Sequence, residues 1–307
     1  NEINASLNFI KKNSIDNKKC SCRLKTRTNH CDCFYYYNSD IPSNSIYEIN
    51  RISSKKVIQL VENNNTSMID IPINFELNNN QKIQVESLKQ GVPIINKSNI
   101  KKLLEELVFP LHFIDYETYS SAVPLIDKLS PHKHIVFQVS IHTLQKNGEL
   151  THFEWLGDKM ELPYKMLPLI TDFTEQKGTF ISWNAPFEIG RNKDMKSWIP
   201  KFSSYINYMN EHMFDLMNVF KIDYIDYRFL GSISIKNVLP VLCPNMKLAY
   251  KALNIQDGTM ALDTWGRMIM DLDTNIDIVK TKKNLLSYCM LDTLAMVEIY
   301  RFLKKLI

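Results

Sequence analysis

LHFIDYET, residues 111–118, is the stretch on which the fold turns. Phe113, Ile114 and Tyr116 are aromatic or β-branched, the composition of a largely buried strand. Asp115 and Glu117 are two apart, so on a strand their side chains point to one face. Two like charges on a buried face repel each other and lose hydration, and a bound divalent cation is the usual compensation. The competing reading is a face that is simply wet.

Working outward, HIVFQVSIHTL (134–144) and LTHFEWL (150–156) read as two further strands. A helical stretch around 162–176 follows, then a fourth strand in GTFISW (178–183), and the chain is mostly helical from there to Ile307. Upstream, Ile100, Leu103, Leu104 and Leu107 share a helical face over 98–109, with Ser98 as the expected cap and Pro110 as the stop.

Two more acidic positions stand out. In NLLSYCMLDTLAMVEIYRFL (284–303), Leu285, Tyr288, Asp292, Ala295, Ile299 and Phe302 recur every three or four residues and form one helical stripe. Asp292 is its only charged member, and Tyr288 lies one turn before it on the same side. In SWNAPFEIG (182–190), Asn184 ends a strand and is placed to cap a helix starting near Pro186, with Glu188 in its first turn. Taken singly, Asp292 also reads as a locally paired residue and Glu188 as ordinary helix-start chemistry.

Together these elements resemble the three motifs of the DEDD superfamily of 3′–5′ exonucleases. Asp115 and Glu117 match the Asp-x-Glu motif. Asn184, Phe187 and Glu188 match the second motif, and Tyr288 with Asp292 matches the Tyr-x-x-x-Asp motif of the DEDDy branch. The order of strands and helices is that of the ribonuclease-H-like fold. A nearer resemblance is to the bacterial family DUF2779, through FIDYETYSSAVP, FQVSIH, WNAPFE, FDLMNVF, GSISIKNVLP, NIQDG and YCMLDTLAMV, over roughly residues 108–305. The second motif departs from the wider pattern by carrying Glu188 where Asp is usual, with Asp194 and Asp215 as possible substitutes.

The resemblance implies an α/β, ribonuclease-H-like exonuclease domain over 106–307. It also implies two-metal hydrolysis of DNA or RNA from a 3′ end, with Asp115, Glu117, Glu188 and Asp292 holding two Mg²⁺ or Mn²⁺ ions. Tyr288 would orient the attacking water, since a phenol of reference pKa about 10 is a poor base. Thr118, Asn184, Phe187, Asp215, Ser234 and Lys236 are the candidate substrate-side residues. The Gly231–Ser232 turn precedes a helix whose N-terminal amides suit a phosphate.

Residues 1–105 have a different character. Cys20, Cys22, Cys31 and Cys33 crowd into CSCRLKTRTNHCDC, with His30 between them. Such a cluster suits Zn²⁺ or an iron–sulfur centre rather than a secreted disulfide framework; unliganded reduced thiols are the alternative. In DUF2779 proteins the preceding region resembles Cas4- and RecB-like nucleases, so the resemblance makes 1–105 the tail of such a module, with a [4Fe–4S] cluster as one option. The fold of 46–97 is not assignable from its pattern.

Residues 1–60 hold ten Lys/Arg against five Asp/Glu, a local charge of +5 in a chain of net charge +4. A basic arm beside a near-neutral domain suits a polyanionic partner, although a solvated surface has the same composition. No apolar run reaches the ~18 residues of a membrane span, and no signal peptide is evident at the start. The cysteine distribution, unlike a secreted disulfide framework, makes a cytoplasmic location the expectation. The first residue is Asn rather than Met, so upstream sequence is expected as well. Two other functions remain open: a non-catalytic nucleic-acid-binding module serving an upstream nuclease, and a metal-stabilised protein-interaction domain.

Overall fold

The alternation of apolar and acidic residues over 111–119 is realised as a nine-residue strand, β1 (Leu111–Tyr119), in which Asp115 alone keeps appreciable exposure. The computed structural model describes residues 2–11, 21–246, 248–272 and 276–307. The chain divides into two compact units: 1–94 together with 225–232, and 95–224 together with 233–307.

The second unit is a mixed α/β fold. Strands β2 (Ile135–Leu144), β3 (Leu150–Leu156), β4 (Thr179–Ser182) and β5 (Met213–Asp215) join β1 in the order β3-β2-β1-β4-β5. The first three strands run antiparallel, while β4 and β5 are parallel to β1. The strands expected from the sequence are all present; β5, only three residues long, is an addition.

Period two sorts the faces of β1. Ile114 and Tyr116 point into an apolar core with Val139 and Ile141 of β2. That core is closed by helices α4 (Met166–Thr174), α5 (Ala185–Trp198) and α6 (Ser203–Glu211), numbered after two helices of the first unit, α1 (Ser54–Glu62) and α2 (Asn79–Gln90), and after α3 (Lys97–Glu105). Phe113, Asp115 and Glu117 take the opposite face, toward the C-terminal part of the chain. Further helices there are α7 (Met217–Ile222), α8 (Ile235–Leu242), α9 (Gly258–Ile269) and the long α10 (Ile278–Leu306).

Polar pairs dock α10 on the sheet. On β2, Gln138, Ser140 and His142 lie opposite Glu117, Asp115 and Phe113. Gln138 donates to the Leu285 carbonyl at 2.8 Å, and the Thr293 hydroxyl sits 2.8 Å from Ser140 Oγ and 2.7 Å from His142 Nδ1. Buried polar atoms left without partners are costly, so this network fixes the sliding and rotation of α10, and hence of its neighbour Asp292. Gly178 fixes the start of β4: its φ is +75°, and a Cβ there would stand 1.9 Å from the Pro110 carbonyl oxygen.

Helix α3 corrects the expected cap. Asn96, not Ser98, accepts from the Asn99 amide, and the Ser98 hydroxyl donates to Asn96 instead. The helix ends at Glu105, with Ile100 and Leu104 buried.

In the first unit, a small core of Phe34, Ile46, Tyr47, Val57, Leu60 and Met68 is built on α1 and α2. Two buried glutamines of α2 hold the 48–50 loop through its backbone: Gln81 donates to the Asn50 carbonyl, and Gln84 bonds both the Glu48 carbonyl and the Asn50 amide. Long-range bonds of this kind leave no periodic mark in the sequence, which is why 46–97 gave no readable pattern.

Candidate active site

Four acids from three elements lie close enough on the α10 side of β1 to act on one another electrostatically, although only Asp115 and Glu117 belong, with Cys289, to a group of ligand atoms within 4.8 Å of one another. Asp115 and Glu117 come from the strand, Glu188 from the first turn of α5, and Asp292 from the middle of α10. Glu117 and Asp292 are each 8 % exposed and Glu188 only 2 %, so little water reaches them. The register of β1 against β2 shifts between Glu117 and Thr118, a bulge that re-aims the strand where the acids end.

Burial pushes the Asp115 carboxyl well above the usual carboxylate range, and Asp292, Glu117 and Glu188 add to the rise in that order. Glu117 is pushed up to about 8 by burial and then by Asp292, against the opposing pull of Lys236. Glu188 rises to about 8, again chiefly through burial. Asp292 rises least, to about 6, because the Tyr250 hydroxyl, Lys236 and the Tyr288 hydroxyl favour its charged form.

Three aromatic and cationic groups frame Asp292. The Tyr250 hydroxyl donates to Asp292 Oδ1 at 2.5 Å. Lys236 Nζ lies 3.4 Å from the Tyr288 hydroxyl and over both phenol rings, 5.6 Å from that of Tyr250 and 5.2 Å from that of Tyr288. Burial raises both phenols above their ordinary value, with Asp292 the next cause, so neither is a proton acceptor near neutrality.

The Cys289 thiol, fully buried, lies 3.5 Å from Asp115 Oδ2 and 3.7 Å from the Asp115 carbonyl. Ligand atoms of Asp115, Glu117 and Cys289 all fall within 4.8 Å of one another, a grouping able to hold a metal ion. In the sequence Cys289 stands as an isolated cysteine among apolar residues. Its position next to Tyr288 gave no hint that it faces Asp115, because that contact depends on where α10 crosses β1. Tyr250 was missed for a similar reason, since it lies in a short 3₁₀ turn with no periodic pattern.

The remaining expected residues are spread more widely. Asn184 holds the cap position of α5, yet its side chain makes no cap bond and its backbone is left-handed (φ 86°, ψ 56°). Its amide donates to Asp215 Oδ1, which also receives the Met217 amide, so Asp215 ties together the turns after β4 and β5. That makes Asp215 a brace, although it remains close enough to raise Glu188. Asp194 is paired with Lys133 and Arg191. Thr118 hydrogen-bonds His134, whose ring meets Phe187 edge-on, and the Arg191 guanidinium lies over the Phe187 ring at 5.0 Å. Ser234 caps α8 through its backbone, its hydroxyl donating to the Asn237 side chain.

The cysteine segment has a different outcome. Cys20 lies outside the described residues. Cys22 and Cys31 lie near each other, and Cys31 and Cys33 are exposed. Among the described residues the Asp115, Glu117 and Cys289 set is the only metal-compatible group of three or more, so Cys22, Cys31 and Cys33 do not by themselves form one. His30 bonds the Lys25 carbonyl and stacks on Phe34.

Residues 112–234 match the family model described as "Domain of unknown function (DUF2779)". The match takes in Asp115, Glu117, Glu188 and Asp215 and stops short of Tyr288 and Asp292. Among curated proteins, the chain is 29 % identical over 238 residues to "Uncharacterized protein MG366 homolog" of Mycoplasma pneumoniae, covering 71 % of this chain and 35 % of that protein. It is 26 % identical over 293 residues to "Uncharacterized protein MG366" of Mycoplasma genitalium, covering 89 % and 41 % respectively. A third relative, "Uncharacterized protein UU173" of Ureaplasma parvum, is 23 % identical, covering 76 % of this chain and 35 % of its own. The chain thus spans about two-fifths or less of the length of these relatives. No solved structure matches. No helix among the described residues is long and apolar enough to cross a membrane.

Proposed function

We propose that the second unit is a metal-dependent 3′–5′ exonuclease of ribonuclease-H-like architecture, acting on DNA or RNA. The observation that carries this reading is the proximity of Asp115, Glu117, Glu188 and Asp292, of which Asp292, Glu117 and Glu188 all raise Asp115, and Asp292 and Glu188 raise Glu117, with Asp115 and Glu117 in one metal-compatible group. The sheet order β3-β2-β1-β4-β5, with three antiparallel strands followed by two parallel ones, is consistent with it.

The donor set fits divalent cations. Glu188 Oε2 is buried with no hydrogen-bond partner among the described residues, as expected of an oxygen reserved for an ion. Carboxylate oxygens suit Mg²⁺ and Mn²⁺. Asp115, Glu117, Glu188 and Asp292 would hold the ions, which when bound supply an activated water and charge stabilisation at the leaving oxygen. The chain's own residues then position and orient. Tyr250 fixes the rotation of the Asp292 carboxylate. Tyr288 presents its hydroxyl beside Asp292 to orient the attacking water. Asp215 holds the turn that sets Glu188 at the start of α5. Thr118 and Phe187 border the pocket where the terminal nucleotide would lie. The first unit, on this reading, is the tail of a Cas4/RecB-like module whose remainder lies upstream, and its cysteines, Cys20 included, would hold Zn²⁺ or a [4Fe–4S] cluster.

The test uses purified protein with 3′- or 5′-labelled DNA and RNA in Mn²⁺, Mg²⁺ or EDTA. Shortening from the 3′ end, abolished by EDTA and by Asp115→Asn, is expected. Tight binding with no cleavage in either metal would instead identify a non-catalytic binding module.

A further inference from the structure

Lys236, in the first turn of α8, holds its ammonium over the rings of the two tyrosines that frame Asp292, and the Tyr250 hydroxyl bonds that carboxylate directly. The ammonium is steered there by the two phenol rings under it and by the Tyr288 hydroxyl at 3.4 Å. An ammonium can only donate, so the Tyr288 oxygen accepts from Lys236 and its own proton is left for Asp292. Asp292 therefore receives phenolic protons from Tyr288 and Tyr250, and Lys236 closes the chain from behind.

A cation in that position does two things. It offsets part of the repulsion among the acids when no metal is present. It also repels an entering divalent ion, and once an ion has taken over the acids, the ammonium has lost its reason to face them. We propose that Lys236 is the internal counter-cation of this pocket, yielding to divalent metal and then serving a phosphate of the bound strand end. This rests on the exonuclease reading only for the identity of the phosphate. The balance between lysine and metal follows from the charges alone.

The test compares the wild-type chain with Lys236→Met and Lys236→Arg at pH 8. Lys236→Met is expected to lower the metal-free Tm while leaving the Mg²⁺-saturated Tm nearly unchanged. It is also expected to tighten Mg²⁺ binding by about tenfold, measured calorimetrically. Lys236→Arg should restore both properties. In saturating Mg²⁺, binding of a phosphorothioate-capped oligonucleotide should weaken in Lys236→Met. An unchanged or weakened Mg²⁺ affinity in Lys236→Met would overturn the counter-cation role and leave Lys236 as a packing residue over two rings. Unchanged oligonucleotide binding would overturn the phosphate role. If neither protein binds Mg²⁺, the exonuclease reading fails, and the metal-free Tm still decides whether Lys236 neutralises the acids.

Discussion

The acids of the second unit ride on a strand, a helix start and a long helix; Cys22, Cys31 and Cys33 of the first unit ride on a short 3₁₀ turn and a loop. Both sets have metal-binding chemistry. On regular elements, side-chain direction is set by periodicity, and packing of one element on another brings distant residues to a common point. Thr293 locked between Ser140 and His142 is the clearest instance, because it leaves Asp292 little freedom of place. Loops carry no such constraint, and among the described residues Cys22, Cys31 and Cys33 do not make up a metal-compatible group of three.

The largest effect that separates the two regions is on cleavage. Asp115→Asn or Asp292→Asn should reduce metal-dependent shortening of a 3′-labelled strand by on the order of 10³-fold, as loss of several kcal/mol of metal-assisted stabilisation requires. Replacing Cys22, Cys31 and Cys33 together by Ser should leave the chemical step within a few-fold of wild type in single-turnover assays. An equal loss in both would mean that the two regions form one catalytic device.

Next in size is the packing that makes the acids meet. Leu285 is fully buried on α10, and its carbonyl accepts from Gln138. Leu285→Ala should destabilise the second unit by about 2–5 kcal/mol in denaturant unfolding. Ser234→Ala, at an exposed cap position, should stay within ~0.5 kcal/mol.

The acids also predict a pH dependence of stability. Glu117 and Glu188 titrate at about 8 and Asp292 at about 6 in the folded chain. All lie above the ~4 of an unfolded carboxyl. The folded state therefore binds more protons, and this contribution is complete below pH ~4 and is lost as pH rises through 6 to 8. Metal-free Tm should fall between pH 5 and 9, and saturating Mg²⁺ should flatten the fall. A metal-free Tm that climbs across this window would contradict the shifts. Tyr250→Phe removes the bond to Asp292 while keeping the ring. Metal affinity or activity should drop by about 10-fold to 100-fold, the usual range for an outer partner of a metal ligand.

The same contrast explains what could be read in the sequence. Asp115 and Glu117 were legible because strand period two puts them on one face, and Asp292 because it interrupts an apolar helical stripe. The four main strands were legible from their β-branched and aromatic runs, whereas their order in the sheet was not. The role of Cys289 was not, since its contact with Asp115 depends on the crossing of α10 over β1 and not on local spacing. Tyr250 sits in an irregular segment with no phase to read. Asn184 was recognisable as a helix start, but its left-handed backbone, which directs its amide to Asp215, was not. In the first unit, the glutamine-to-backbone bonds of α2 decide the fold and carry no pattern at all.

Manganese titrated into the metal-free chain, followed by loss of the free-ion paramagnetic resonance signal, probes the shared pocket most directly. Saturable binding that is weakened by Asp115→Asn and by Asp292→Asn alike, although one acid lies on a strand and the other on the last helix, is the predicted result. Binding that survives unchanged in Asp292→Asn would show that the two acids do not serve a common ion.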